Sequence, residues 1–169
     1  PAFPQEYDRF VDLFAGGFNV GINVDAPVIY ANDQITYLIE LYEFFRSTPV
    51  EIILGLIQER IARFELSDKN AEGYLALRRE YNRTGQPIDL FVLACYSFNH
   101  QIRFNQKHEL NIPFGRNRSA YNPSIEANLL FPPGLSQLRF FGAAARRPGL
   151  LRSALSDQQR LLQRWTPGV

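Results

Sequence analysis

The stretch FVDLFAGGFNVGINVDAPVIYAND, residues 10–33, sets Gly16-Gly17 behind one short apolar run and Asp33 behind the next. Glycine lets backbone approach a ligand that any Cβ would hold off. A carboxylate can accept hydrogen bonds from both hydroxyls of a ribose. Together they suggest a small-molecule pocket beyond the carboxyl ends of two strands, where open α/β sheets bind their ligands. A dinucleotide would call for G-x-G-x-x-G opening a helix. Gly16, Gly17 and Gly21, with Phe14 in front, are spaced differently and suit a nucleoside-type ligand without phosphate. Two adjacent glycines also simply close a tight turn. The Asp33 partner makes the two readings equal.

A second constellation lies near residue 110. Arg103, Lys107, Arg116 and Arg118 gather with His108 in a segment that also holds Phe104, Asn105 and Phe114. Basic groups contact phosphates, Asn and Arg read base edges, and an aromatic can wedge between bases. A solvated basic loop has the same composition, and both readings stand.

The elements that must carry these residues can be read from periodicity. Residues 9–14, RFVDLF, alternate like a buried strand that ends at Ala15-Gly16-Gly17, and PVIYAND forms a second strand. From Ile35 the period becomes helical, with Leu38, Ile39 and Tyr42 on one face. Thr48 is expected to cap a second helix, with Pro49 in its first turn and Glu51 suited to its dipole. SDKNAEGYLALRREYNRTGQP reads as cap, polar helix and turn, and an apolar helix starts at Pro87. IRFN and ELNIPF then alternate around QKH as a hairpin would. The order predicts an α/β fold with a nucleotide-type pocket and a helical insertion.

With 169 residues, 46% hydrophobic and 21% charged, the chain has room for one ordinary domain with a core. Its apolar runs are too short to cross a bilayer, and nothing at its start resembles a secretion leader. One cysteine, Cys95, and two histidines permit no internal disulfide and make a poor metal inventory. The expectation is a cytoplasmic protein with no metal and no membrane partner; the oligomeric state is not legible. The net charge of +1 conceals a break in composition. Residues 1–130 carry 12 Lys and Arg against 16 Asp and Glu, whereas residues 131–169 carry six Arg against Asp157 alone. That tail reads either as a basic nucleic-acid arm or as a stretch foreign to the ancestral domain.

FVDLFAGG, ANDQ, LRREYN and FNHQIRFNQKHELNIPFGR occur in an order that resembles the Dam-like DNA adenine methyltransferases, phage-type members above all, from about Tyr7 to about Leu130. The resemblance implies a partial Rossmann-like S-adenosylmethionine-dependent core with a helical target-recognition insertion and hairpin. Residues 1–46 would begin the cofactor-binding core, 47–122 would form the insertion, and 123–169 would be a return segment with an atypical Arg-rich tail. By match, Phe14, Ala15, Gly16, Gly17 and Asp33 would line the S-adenosylmethionine pocket, with Asp33 on the ribose at a solvent-facing strand end. Arg103, Phe104, Asn105, Lys107, Pro113 and Arg116 would face double-stranded DNA, with Phe104 as the aromatic at a base step. The implied reaction is methyl transfer to the exocyclic amine of adenine at a specific site, in a bacterial or phage-infected cell. The family's Asp-Pro-Pro-Tyr is not in the sequence; YNPS and FPPG are the nearest strings. No catalytic residue can therefore be assigned, and a truncated, inactive member is expected. The alternatives are a non-catalytic DNA-binding module derived from such an enzyme, and an unrelated Rossmann-like domain.

Overall fold

Short β-rich runs punctuated by glycine and carboxamide residues give way to capped helices, and the backbone follows that change. The computed structural model describes residues 8–130 and 138–140. Strands β1 (Phe10–Asp12), β2 (Ile29–Ala31) and β3 (Leu138–Phe140) form a parallel sheet in the order β1-β2-β3. Phe10 pairs with Ile29 and Asp12 with Ala31; on the other side Ile29 pairs with Leu138 and Ala31 with Phe140. The β1–β2 connection holds the glycine loop and a 3-10 turn, Gly21–Asn23, in place of a crossover helix.

The expectation of a buried first strand is corrected. In the described sheet β1 is an edge strand, covered on one face, and it leaves Val11, Leu13 and Phe14 exposed. The apolar alternation was real, but it cannot distinguish an edge from a centre. The buried strand is β2, whose Ile29 and Ala31 are fully enclosed together with Leu138. β3 was not read from sequence: three residues of the Arg-rich tail join the described sheet. The rest of that tail lies outside the described residues. Arg46 ties β3 to the helices, donating from Nη1 to the Leu138 carbonyl at 3.0 Å and lying 5.2 Å from the centre of the Phe140 ring.

Four helices follow β2: α1 (Thr36–Ser47), α2 (Val50–Arg63), α3 (Ala71–Thr84) and α4 (Pro87–Tyr96). Thr48 does not cap α2. It closes the carboxyl end of α1 through its N–H to Phe44 O, while the Pro49 carbonyl accepts from Ile52 and Ile53 at 3.1 Å. A proline at the N-cap loses nothing, because no helical donor is needed from it. α3 opens on Asn70, whose side chain accepts from Gly73 N at 3.0 Å, and closes on Gly85 in the left-handed conformation. Gly73 has no room for a side chain: a Cβ there would fall 2.1 Å from the Phe64 carbonyl oxygen.

α4 is buried nearly all round and packs against α1, α2 and α3. Its one acid, Asp89, accepts from Arg60 Nε of α2 at 2.7 Å, and Arg60 also pairs with Glu59. Burial pushes the Asp89 carboxyl up against the opposing pull of Arg60. A buried pair of this kind adds little net stability, but it penalises the removal of either partner. A fifth helix, α5 (Pro123–Leu130), went unread in the sequence although its start is conventional: Asn122 Oδ1 accepts from Ser124 and Ile125 N at 3.0 and 3.1 Å. Two apolar clusters result, one around α4 and a smaller one around β2, Phe18 and Leu138. α1 contributes to both, Leu41 and Phe44 to the first and Ile39 to the second.

Candidate functional site

The glycine loop leaves the carboxyl end of β1, and Asp33 lies just past the carboxyl end of β2. Gly16 takes φ +48°, where an L side chain is strained. Its N–H donates to Asp33 Oδ2 at 2.8 Å, and its carbonyl accepts from the Tyr42 hydroxyl of α1. Asp33 Oδ1 accepts from Ile35 N at 2.8 Å, forming an Asx turn that delivers the chain into α1. One carboxylate thus joins the loop to the first turn of a helix, where negative charge also complements the dipole. The solvent-facing Asp33 expected from sequence is corrected: the residue is half-buried and each of its oxygens already holds a backbone amide. An ionised oxygen has room for a second donor, so both keep acceptor capacity.

The rest of the loop is tied in around this clamp. Ala15 is buried, and its N–H donates to Asn32 O at 2.9 Å. Phe14 and Gly17 are exposed. Phe18, absent from the sequence-based site, is buried at φ +59°, with its ring 5.4 Å from that of Tyr42. A Cβ at Gly21 would fall 2.2 Å from the Phe18 ring, which accounts for the third glycine of the stretch. Burial, then the charges of Asp33 and Asp12, pushes the Tyr42 phenol up, so it remains a donor. Asp12 Oδ2 is buried and has no hydrogen-bond partner among the described residues.

The basic segment forms the expected hairpin with irregular arms. Its base is the Ser97–Phe114 bridge, flanked by Phe98 N to Pro113 O and Gly115 N to Tyr96 O, both 2.9 Å. Gly115 admits no Cβ, which would lie 2.5 Å from Ser119 Oγ and 2.6 Å from Ser97 O. Nearer the tip, Phe104 bridges Leu110, and Asn111 N donates to Arg103 O at 3.0 Å. Arg103, Lys107, Pro113 and Arg116 are exposed. Arg103 is oriented, since its Nε and Nη2 both donate to Asn111 O, at 3.2 and 2.8 Å.

Two residues of the segment face differently from expectation. The Phe104 ring is half-buried and stacks on Tyr37 of α1, with centroids 4.7 Å apart. It anchors the hairpin where a wedge at a base step was expected. Asn105 shapes the turn: Oδ1 accepts from Lys107 and Glu109 N at 2.9 and 3.0 Å, and Nδ2 donates to Glu109 Oε2. Its amide is engaged within the hairpin. Phe98, which sequence reasoning passed over, presents an exposed ring beside the Arg118 guanidinium, 5.9 Å away. Asn99 and His100 follow it at φ +54° and +52°, a strained pair that projects this turn. The tolerance of Asn for the left-handed region was the available signal.

No cluster of three or more His, Cys, Asp or Glu able to hold a metal occurs among the described residues. Burial pushes the Cys95 thiol up to about 12, which removes it as a nucleophile. No helix among the described residues is long and apolar enough to cross a membrane.

Residues 1–131 match the family model described as D12 class N6 adenine-specific DNA methyltransferase. Over 130 residues the chain is 49% identical to the type II methyltransferase M.FokI of Planomicrobium okeanokoites, covering 77% of this chain and 20% of that protein. It is 43% identical over 130 residues to the modification methylase StsI of Streptococcus sanguinis, with the same coverage. A DNA adenine methylase of Haemophilus influenzae is 28% identical over 130 residues, covering 74% of this chain and 44% of the relative. The chain thus spans about a fifth of the length of the first two relatives.

The clamp makes a stability prediction. Asp33→Ala leaves the Gly16 and Ile35 amides without their acceptor and is expected to lower unfolding free energy in urea by about 1–2 kcal/mol. Phe14→Ala in the exposed part of the loop is expected to change it by less than about 0.5 kcal/mol. Equal, small effects would place the Asp33 carboxylate in solvent.

Proposed function

The chain belongs to the D12 class N6 adenine-specific DNA methyltransferase family, and from that premise we propose that it carries the cofactor-binding and DNA-reading parts of such an enzyme. In this reading residues 1–46 begin a Rossmann-like methyltransferase core to which the parallel sheet belongs. Residues 47–122 form the helical recognition insertion with its hairpin, and residues 123–169 are a return segment with an Arg-rich tail. The single observation that carries the proposal is the Gly16–Asp33 clamp. It sets a Cβ-free peptide and a carboxylate together beyond the carboxyl ends of adjacent parallel strands.

The residues fit S-adenosylmethionine. Asp33 retains lone pairs for two ribose hydroxyls, Gly16 and Gly17 leave backbone accessible, and Ala15 is buried beneath them. Asp12 Oδ2, buried without a donor of its own among the described residues, suits the cationic amino-acid end. Phe14, exposed beside them, offers an apolar face. When bound, the cofactor supplies the methyl group. The chain's part is to orient it: Asp33 and Tyr42 fix the peptide units on the two sides of Gly16, so the loop need not order on binding.

On the DNA side, Arg103, Lys107 and Arg116 supply the positive face, with Pro113 exposed among them. Phe98 is the exposed aromatic available to a deformed base step, while Phe104 and Asn105 hold the hairpin in shape. The sequence contains no Asp-Pro-Pro-Tyr, so the groups that would hold an extruded adenine are not among its residues. That absence favours a second reading, a DNA-binding module without catalysis of its own. The two readings part at the cofactor, which only the first requires.

Calorimetric titration with S-adenosylmethionine tests the first reading. Asp33→Asn, isosteric but able to accept only one of the two clamp amides, is expected to weaken binding by about 1.5–3 kcal/mol, the value of a hydrogen bond to a charged group. Unchanged affinity would overturn the pocket. For DNA, titrations of random-sequence duplexes at several salt concentrations should lose about 0.9 unit of log–log slope with Lys107→Ala and again with Arg116→Ala. Phe98→Ala should weaken binding and leave stability unchanged, and Phe104→Ala should do the reverse; the opposite assignment would restore Phe104 as the wedge. Assayed by tritium transfer to duplex DNA, the chain alone is expected to show no turnover, and turnover above background would reveal an unrecognised catalytic element.

A further inference from the structure

The outgoing arm of the hairpin is buried at Leu110 and Ile112, yet the described residues supply it with only one bridge to the incoming arm at the tip. Its backbone is met instead by one stripe of α3. Tyr74, Arg78 and Asn82 recur every four residues and so share a helix face. The Tyr74 hydroxyl and Arg78 Nη1 both donate to Ile112 O, at 3.0 and 2.9 Å. Asn82 does more. Its Oδ1 accepts from Leu110 N at 2.8 Å, and its Nδ2 donates to Leu110 O at 3.2 Å. A side-chain amide sets a donor and an acceptor side by side, so Asn82 supplies Leu110 with the pair of bonds that a neighbouring strand would exchange with it.

We propose that Asn82 is a positioning residue that sets the register of the hairpin and thereby the direction in which its tip presents Arg103 to DNA. This rests on the DNA-reading function proposed above. A hairpin held by few backbone bonds is free to slip, and a slip of one residue turns every side chain to the opposite face. Here a slip would bring Glu109 or Asn111 to the buried place of Leu110. It would also remove the Asn111 carbonyl from Arg103, whose guanidinium is aimed by that carbonyl alone among the described contacts. Asn82 selects residue 110 for the buried place because it engages both of that residue's backbone groups. Asp keeps the acceptor and loses the donor; Leu has the same shape and neither.

Two measurements on the chain with Asn82→Leu and Asn82→Asp test this. The first is hydrogen exchange at the Leu110 amide, expected to quicken about tenfold in Asn82→Leu and to stay slow in Asn82→Asp, with α4 amides unchanged in both. The second is enrichment from a pool of randomised duplexes. Asn82→Leu is expected to flatten the sequence preference while total affinity for the pool holds, because register changes what is read and not the net charge. Unchanged exchange at Leu110 overturns the proposal, as does a preference that falls only in step with pool affinity, which would make Asn82 a DNA contact. A pool from which the unmodified chain enriches nothing refutes the DNA reading, and with it the consequence for specificity. The exchange measurement still decides whether Asn82 holds the arm.

Discussion

One carboxylate holds two backbone amides that are far apart in sequence, and much of the molecule is arranged around it. Asp33 takes the Gly16 N–H with one oxygen and the Ile35 N–H with the other. The first bond keeps a strained loop at the end of β1, and the second starts α1. Without the loop Tyr42 has no carbonyl to bond, and without α1 the two apolar clusters lose the element they share. Tyr37, in the first turn of the same helix, stacks on Phe104 of the hairpin. A single helix therefore contacts both the glycine loop and the basic hairpin. A rigid element of this kind is a better support for a site than loop against loop.

The helices beyond α1 meet a different demand, which is to hold an irregular hairpin whose own backbone bonds are few. α4 supplies the buried apolar mass, and its acid is tolerated only because Arg60 reaches it. α3 supplies polar groups in a row and directs them at backbone. The stem closes where Gly115 lets Ser97 and Ser119 approach. Order in the hairpin thus comes mainly from outside it. This leaves the outer faces of Arg103, Lys107 and Arg116 to solvent, as an interface with a polyanion requires.

What could be read from sequence was what local chemistry decides. Pro87 opening α4, the cap, polar helix and turn read over residues 67–87, and the change of period at Ile35 all depend on neighbours in the chain, and all appear where expected. The glycine-rich turn, short element and second strand also follow in the anticipated order. The failures share a cause, in that each turned on a partner distant in sequence. β1 looked buried because alternation is the same at an edge, and β3 was hidden because three residues carry no pattern without the strand they join. Asp33 looked free because its acceptor capacity is visible in sequence and its donors are not. Phe104 and Phe98 are chemically alike, and contact with Tyr37 and Tyr81 determines which of them is packed away. The Thr48 error was smaller: Ser47-Thr48-Pro49 contains two ends, and the threonine belongs to the earlier helix.

The proposal that the glycine loop holds cofactor is tested most directly by backbone amide NMR of the chain during titration with S-adenosylmethionine. Ligand at the clamp predicts shifts centred on Ala15, Gly16, Gly17 and Asp33, with the α4 amides still. Shifts centred elsewhere, or none at Gly16 and Gly17 under saturating ligand, would contradict it.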